Sequence, residues 1–243
     1  MSLPIYNKSQ TLKWVFLDLD DTLWDFSANS LAALRKLYIN HKYLSKYYPS
    51  FELFSDRYHE INARMWRLYE RAEIDVATLK RQRFALLFPD VADTEEGGLL
   101  GKSLNDEYIR ILGGEKILVP GAEELCRSLS KHYLIGILSN GFREVQYRKL
   151  YGGPLWRYVQ RMVLSDEAGI SKPDERLFRF AERAVGAEAS EIVMVGDNPS
   201  ADIGGAVGAG WGAIYFDRHG RGDAPEGVPT ASTLDEVRRL LTD

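Results

Sequence analysis

Trp14-Val15-Phe16-Leu17-Asp18-Leu19-Asp20-Asp21-Thr22-Leu23 runs an apolar segment directly into three carboxylates. The run Trp14 to Leu19 reads as a buried strand, because aromatic and β-branched residues suit a pleated surface covered on both faces. Carboxylates at the tip of such a strand are costly unless a cation or several strong donors compensate them. Taken alone, the segment also fits a solvated acidic turn.

Four more apolar runs end in polar turns: Tyr133 to Leu138, Met162 to Leu164, Ile192 to Val195 and Ala213 to Phe216. Helical patterns separate or follow them at Ala122 to Lys131, Arg143 to Leu150, Glu175 to Val185, Ala201 to Ala209 and Leu234 to Leu241. The alternation predicts right-handed βαβ crossovers and an α/β fold with a doubly wound parallel sheet. Ligands of such sheets bind beyond the carboxyl ends of the strands.

Between Phe26 and Ile117 the alternation stops. Phe54, Tyr58, Ile61, Met65 and Leu68 recur at spacings of four and three, the stripe of a helix beginning near Phe51. Val76 to Leu87 suggests another helix, ended by Pro89, and Tyr38, Tyr43, Tyr47, Tyr48 and Phe51 cluster around Pro49. The expected organisation is a core of residues 1–25 and 117–243 with a helical cap at 26–116. The Gly- and Pro-bearing stretch Arg218 to Pro229 reads as a surface loop.

The chain has 243 residues, 31 Lys and Arg against 35 Asp and Glu, and a formal charge of -4. Nothing in that balance attracts a nucleic acid polymer or an anionic membrane, so an anionic ligand must be held locally. Cys126 is the single cysteine, which excludes an internal disulfide and a cysteine zinc site; its helical setting predicts a small buried residue. His41, His59, His132 and His219 lack metal-ligand spacing. No apolar run reaches the ~18 residues of a membrane helix, and the N-terminus lacks the order of a signal peptide, so a cytoplasmic location is expected.

Three segments join the acidic strand tip at one edge of the expected sheet. Ser139-Asn140-Gly141 offers a hydroxyl, an amide and a flexible backbone to phosphate oxygens, although an Asn-Gly turn explains it equally well. Lys172 precedes Pro173, which holds the chain extended there; a merely solvated lysine is the alternative. Gly196-Asp197-Asn198-Pro199-Ser200-Ala201-Asp202 leads from a strand into a helix, where Asp197 or Asn198 could serve as a cap. Asp18, Asp197 and the Asp20 carbonyl are oxygen ligands of the kind Mg²⁺ takes, with Lys172 and Ser139 facing the same anion. Gly101-Lys102-Ser103 lacks the upstream glycine of a P-loop, and the glycines of Gly205 to Gly210 are in the wrong order for a dinucleotide site.

Asp18-Leu19-Asp20-Asp21-Thr22, Ser139-Asn140-Gly141, Lys172-Pro173 and Gly196-Asp197 with Asp202 resemble, in order, the four motifs of the haloacid dehalogenase-like hydrolases. The resemblance implies a Rossmann-like core with an inserted helical cap. It also implies Asp18 as nucleophile, Asp20 as acid and base, and Lys172 steadying both nucleophile and phosphate. Ser139 and Asn140 would bind phosphate, Asp18, Asp20 and Asp197 would hold Mg²⁺, and Asp202 would support the metal shell or Lys172.

Thr22-Leu23-Trp24-Asp25-Phe26, the segment Leu138 to Gln146 and Gly208-Ala209-Gly210-Trp211 look most like the pyrimidine 5'-nucleotidase branch. The implied activity is Mg²⁺-dependent hydrolysis of a small phosphomonoester, a pyrimidine nucleoside monophosphate. Tyr43, Tyr47, Tyr48 and Trp66 of the cap are candidates to stack on a base, with packing inside the cap as the alternative. A sugar-phosphate or phosphoglycolate phosphatase and a phosphomutase are the alternatives within the superfamily. A phospho-acceptor signalling module is the alternative outside it, and it leaves the insert unexplained.

Overall fold

The structure, a computed structural model, describes residues 12–71 and 73–243; the N-terminal stretch read for a leader begins outside them. β1 (Trp14–Leu17) is followed by α1 (Phe26–Asn40), α2 (Leu44–Tyr47), α3 (Phe51–Glu70), α4 (Val76–Ala85) and α5 (Glu95–Leu112). Alternation then begins with α6 (Ala122–Leu129), β2 (Leu134–Ser139), α7 (Arg143–Gly152), β3 (Val159–Leu164), α8 (Ser165–Ala168), α9 (Glu175–Val185) and β4 (Ile192–Gly196). A π-helical turn (Pro199–Gly204), α10 (Gly205–Gly208), β5 (Gly212–Phe216), β6 (Thr230–Ala231) and α11 (Leu234–Thr242) complete it.

All strand pairs are parallel, in the order β3-β2-β1-β4-β5-β6. The chain winds outward from β1 in one direction and then in the other, so the tips of β1, β2 and β4 meet where the winding reverses. The apolar runs become strands because both faces are covered: Trp14, Val15, Phe16 and Leu17 are all buried. On one face Trp211 packs against Phe16 and edge-on against Phe178, with centroids 5.2 Å away in each case. Its indole Nε1 donates to Glu182 Oε1 at 2.8 Å, so this tryptophan is a pillar of the sheet packing.

Two local readings change, and one gains detail. β1 stops at Leu17, not Leu19, because the Leu19 carbonyl accepts from both Leu23 N (3.0 Å) and Trp24 N (2.8 Å), which turns the chain. The helix expected over Ala201 to Ala209 opens as a wide turn instead, because Asn198 O accepts from both Asp202 N and Ile203 N. The stretch Arg218 to Pro229 is a surface loop as expected, and it is also anchored. Arg218 donates to Asp25 Oδ2 at 2.9 Å, and the Asp217 carboxylate accepts from Arg221 N and Gly222 N at 2.9 Å each. The following Thr230–Ala231 adds β6, too short to announce itself by periodicity.

The described chain divides into two compact units, one of residues up to Phe26 with Lys116–Asp243, the other Ser27–Glu115. Among the described residues, the regular structure of the second unit is all helical. Ser50, Asp75 and Thr94 cap α3, α4 and α5 with side-chain oxygens. Phe54, Tyr58, Ile61 and Met65 are buried along α3, and Tyr58 packs on Phe84 and Tyr108. Tyr43 and Tyr47 lie against Phe88, the Tyr48 hydroxyl donates to Leu87 O at 2.7 Å, and Trp66 meets Tyr69 edge-on. All four aromatics singled out for base stacking thus have packing partners within their own unit. Among the described residues no helix is long and apolar enough to cross a membrane.

Cys126 is fully buried, and burial pushes its thiol up to about 12. The folded protein should therefore not react with a thiol reagent at pH 8, and should label only on unfolding; fast labelling of the native state would contradict this packing. Trp211→Ala should cost about 3–5 kcal/mol, seen as a lower urea midpoint by circular dichroism.

Candidate active site

Every motif read from the sequence contributes to the tips of β1, β2 and β4 or to the turn before α9. Asp18 follows β1 and is 6% exposed; Lys172, 3% exposed, carries its ammonium into the same space. Lys172 Nζ lies 2.6 Å from Asp18 Oδ1, 2.6 Å from Asp202 Oδ1 and 2.7 Å from Leu138 O. The ammonium donates hydrogen bonds to the Asp18 carboxylate and the Leu138 carbonyl and is ion-paired with the Asp202 carboxylate. Burial by itself would lower the pKa of Lys172, but Asp18 and Asp202 outweigh it and hold it above the usual lysine range.

Asn140 serves this lysine. Its Oδ1 accepts from Lys172 N (2.8 Å) and its Nδ2 donates to Lys172 O (3.0 Å), a reciprocal pair that fixes the backbone from which the ammonium extends. The Asn140 side chain, expected at the phosphate, thus holds Lys172 with its oxygen and one of its two N–H groups. Asn198 takes the cap, with Oδ1 accepting from Ser200 N and Ala201 N, so Asp197 stands clear of that duty.

Ser139 ends β2 and is buried. Its Oγ accepts from Gly141 N (3.2 Å) and from Gln146 Nε2 (2.7 Å). With both lone pairs used, the hydroxyl has only its proton to offer, which makes it a donor to an anion. Gly141 is required by close approach, since a Cβ there would collide with the Gln146 side chain. The same holds for Gly196, where a Cβ would enter the Asp202 carboxylate.

Asp18, Asp197 and Asp202 bring carboxylate oxygens within 4.8 Å of one another. Burial lifts Asp18 well above the usual carboxylate range, opposed by Lys172 and reinforced by Asp202, Asp197 and Asp20. Burial, with Asp202 and Asp21, likewise raises Asp197 to about 7 against the pull of Arg221. Crowded anions that resist ionisation, with oxygen donors only, fit a hard divalent cation, which reverses both effects. Asp20 is not in this group of carboxylates. Its Oδ1 accepts from Lys149 Nζ at 2.5 Å and its Oδ2 from Gln146 Nε2 at 2.8 Å.

Sequence reasoning gave no role to three residues here: Lys149, Gln146 and Arg221. Lys149 and Gln146 sit three apart on α7, hence on one face, and a lysine on the apolar side of a helix is the signal that could have exposed the first. Arg221, from the anchored loop, reaches the Asp197 carbonyl and Oδ2. Its glycine-rich context carries no such signal.

The family profile described as haloacid dehalogenase-like hydrolase matches residues 12–210. The pyrimidine 5'-nucleotidase YjjG of Escherichia coli is 30% identical over 232 residues, which cover 94% of this chain and 97% of that protein. The pyrimidine 5'-nucleotidase PynA of Streptococcus pneumoniae is 26% identical over 90% of this chain and 89% of its own length. Among solved structures, the HAD-hydrolase YfnB of Bacillus subtilis, bound to magnesium, superposes with a TM-score of 0.83 at 26% identity, covering 96% of this chain and all (100%) of the other.

Removing the central cation leaves two buried carboxylates facing each other. Lys172→Met should lose about 3–5 kcal/mol in metal-free buffer, and adding Asp202→Asn should recover part of it. Strictly additive losses in urea unfolding would mean that Lys172 does not hold the cluster together.

Proposed function

The chain belongs to the haloacid dehalogenase-like hydrolase family, and we propose that it is a Mg²⁺-dependent phosphatase of small phosphomonoesters, acting on pyrimidine nucleoside 5'-monophosphates. The observation that carries the chemistry is the division of labour between two carboxylates two residues apart. Asp18 is buried on Lys172, whereas Asp20 is turned to a different lysine and a glutamine. Two acids in unlike environments are what a reaction needs when one must attack and the other must move protons.

In the first step an Asp18 carboxylate oxygen attacks phosphorus and the bond from phosphorus to the ester oxygen breaks. Asp20, entering this step protonated on a lone pair that Lys149 and Gln146 do not use, gives that oxygen a proton, and the alcohol leaves. In the second step Asp20, now a carboxylate, takes a proton from water as the water oxygen attacks the aspartyl-phosphate. The bond from phosphorus to Asp18 breaks, inorganic phosphate departs, and both residues return to their starting states. Ser139 donates its hydroxyl to a phosphoryl oxygen, and Lys172 offsets charge on Asp18 and on the transferring group. Asn140 acts at one remove by fixing Lys172. Mg²⁺, held by Asp18, Asp197 and the Asp20 carbonyl, would supply the positive charge that lets a phosphate dianion approach these acids.

The substrate reading rests on the likeness to two pyrimidine 5'-nucleotidases across most of the chain. Asp20 weighs against carbon–halogen hydrolysis, which needs no acid for a halide leaving group. Phosphate release should be measured with nucleoside monophosphates, sugar phosphates and phosphoglycolate. Pyrimidine 5'-monophosphates should give the highest kcat/KM, and a sugar phosphate ranking first would overturn the substrate assignment. EDTA should stop turnover and Mg²⁺ restore it. Asp18→Asn should abolish it with the circular dichroism spectrum unchanged, while Asp20→Asn should slow it by ~10²–10⁴-fold. Substantial turnover by Asp18→Asn would remove that residue as the nucleophile.

A further inference from the structure

Lys149 is a buried ammonium with an unusual set of neighbours. Its side chain is 2% exposed, and its Nζ is 2.5 Å from Asp20 Oδ1. The same Nζ stands 4.2 Å from the centroid of the Trp24 ring and 5.6 Å from that of Phe26. A buried lysine is a poor choice for filling space on the inner face of α7, where a leucine or methionine would pack without the desolvation of a charge. Its charge is compensated by one carboxylate and by the π-face of an indole that is itself 1% exposed. One turn earlier, Gln146 is fully buried and uses its amide nitrogen on both Asp20 Oδ2 (2.8 Å) and Ser139 Oγ (2.7 Å).

We propose that Lys149, seated on Trp24 and Phe26 and paired with Gln146, is a positioning residue that fixes the direction of the Asp20 carboxylate for proton transfer to the leaving oxygen. A carboxylate on one flexible side chain can rotate about two bonds, and proton transfer demands an aligned approach. Two donors on two different oxygens, both from one helix, remove that freedom. Neutralising a charge would need only one of them. Trp24 belongs to the turn that leaves β1, and its backbone is tied back to the Leu19 and Asp21 positions by hydrogen bonds of 2.8 Å each. The platform beneath Lys149 is therefore attached to the same turn that carries Asp20. The route is Trp24 and Phe26 to Lys149 to Asp20, and Lys149 touches neither phosphate nor ester in this scheme.

This inference rests on Asp20 being the proton donor, and leaving-group chemistry tests it. A nucleoside 5'-monophosphate expels an alkoxide that needs a proton, whereas 4-nitrophenyl phosphate expels a phenolate that leaves without one. Lys149→Met should lose ~10²-fold in kcat on uridine 5'-monophosphate and only a few-fold on 4-nitrophenyl phosphate, with little change in KM on either. Lys149→Arg keeps a cationic donor over the indole and should restore most of the rate on the nucleotide. It also supplies a folded variant if the methionine protein is unstable, its circular dichroism and kcat ratio between the two esters being compared with wild type. Equal losses on both esters, or a change in KM alone, would overturn the positioning role while leaving the phosphatase reading intact. Wild-type protein that releases phosphate from neither ester would overturn both.

Discussion

One ammonium group organises the catalytic end of the core. Lys172 Nζ binds Asp18 after β1, the Leu138 carbonyl in β2 and Asp202 in the turn beyond β4. Three chain segments that meet only through the sheet are thereby tied at one point. The interaction is needed because the sheet buries the strand tips: a buried carboxylate is costly unless a cation stands beside it, and a buried lysine is costly unless acids surround it. Asn140, Gly196 and the wide turn that brings Asp202 inward all serve this contact. Asn140 grips the lysine backbone, and Gly196 leaves room for the Asp202 carboxylate.

A second cation repeats the logic at Asp20. Lys149 is hidden against Trp24 and answers to Asp20, as Lys172 answers to Asp18. Gln146 connects this side to Ser139, so the group that would handle the proton and the group that would hold the phosphoryl oxygen share one amide.

Much of this was open to reading from residue order. Five apolar runs became strands, with ends shifted by a few residues, because burial on both faces leaves a continuous apolar signature. Asp18, Ser139, Lys172 and Asp197 were legible because each stands where a strand or a turn ends in polar residues. Asn140 was legible too, but its reciprocal hydrogen bonds with the Lys172 backbone were not, since an amide beside a serine gives no hint of a partner 32 residues away. The two-residue β6 and the anchoring of the loop before it were hidden, because they depend on Asp25 and Asp217 meeting Arg218 and backbone amides far off in sequence or around a bend.

By itself the sequence determined which segments are strands, which are helices and where acids, hydroxyl and lysine interrupt them, for these are local patterns of period and punctuation. It did not determine which lysine meets which acid. Lys172 lies 154 positions from Asp18, and Lys149 lies 129 positions from Asp20. Those pairings follow from the order β3-β2-β1-β4-β5-β6, which brings distant strand tips side by side, with both lysines buried among them. There the cost of an unpaired charge selects the partner, and only the tertiary structure sets the distances over which that selection acts.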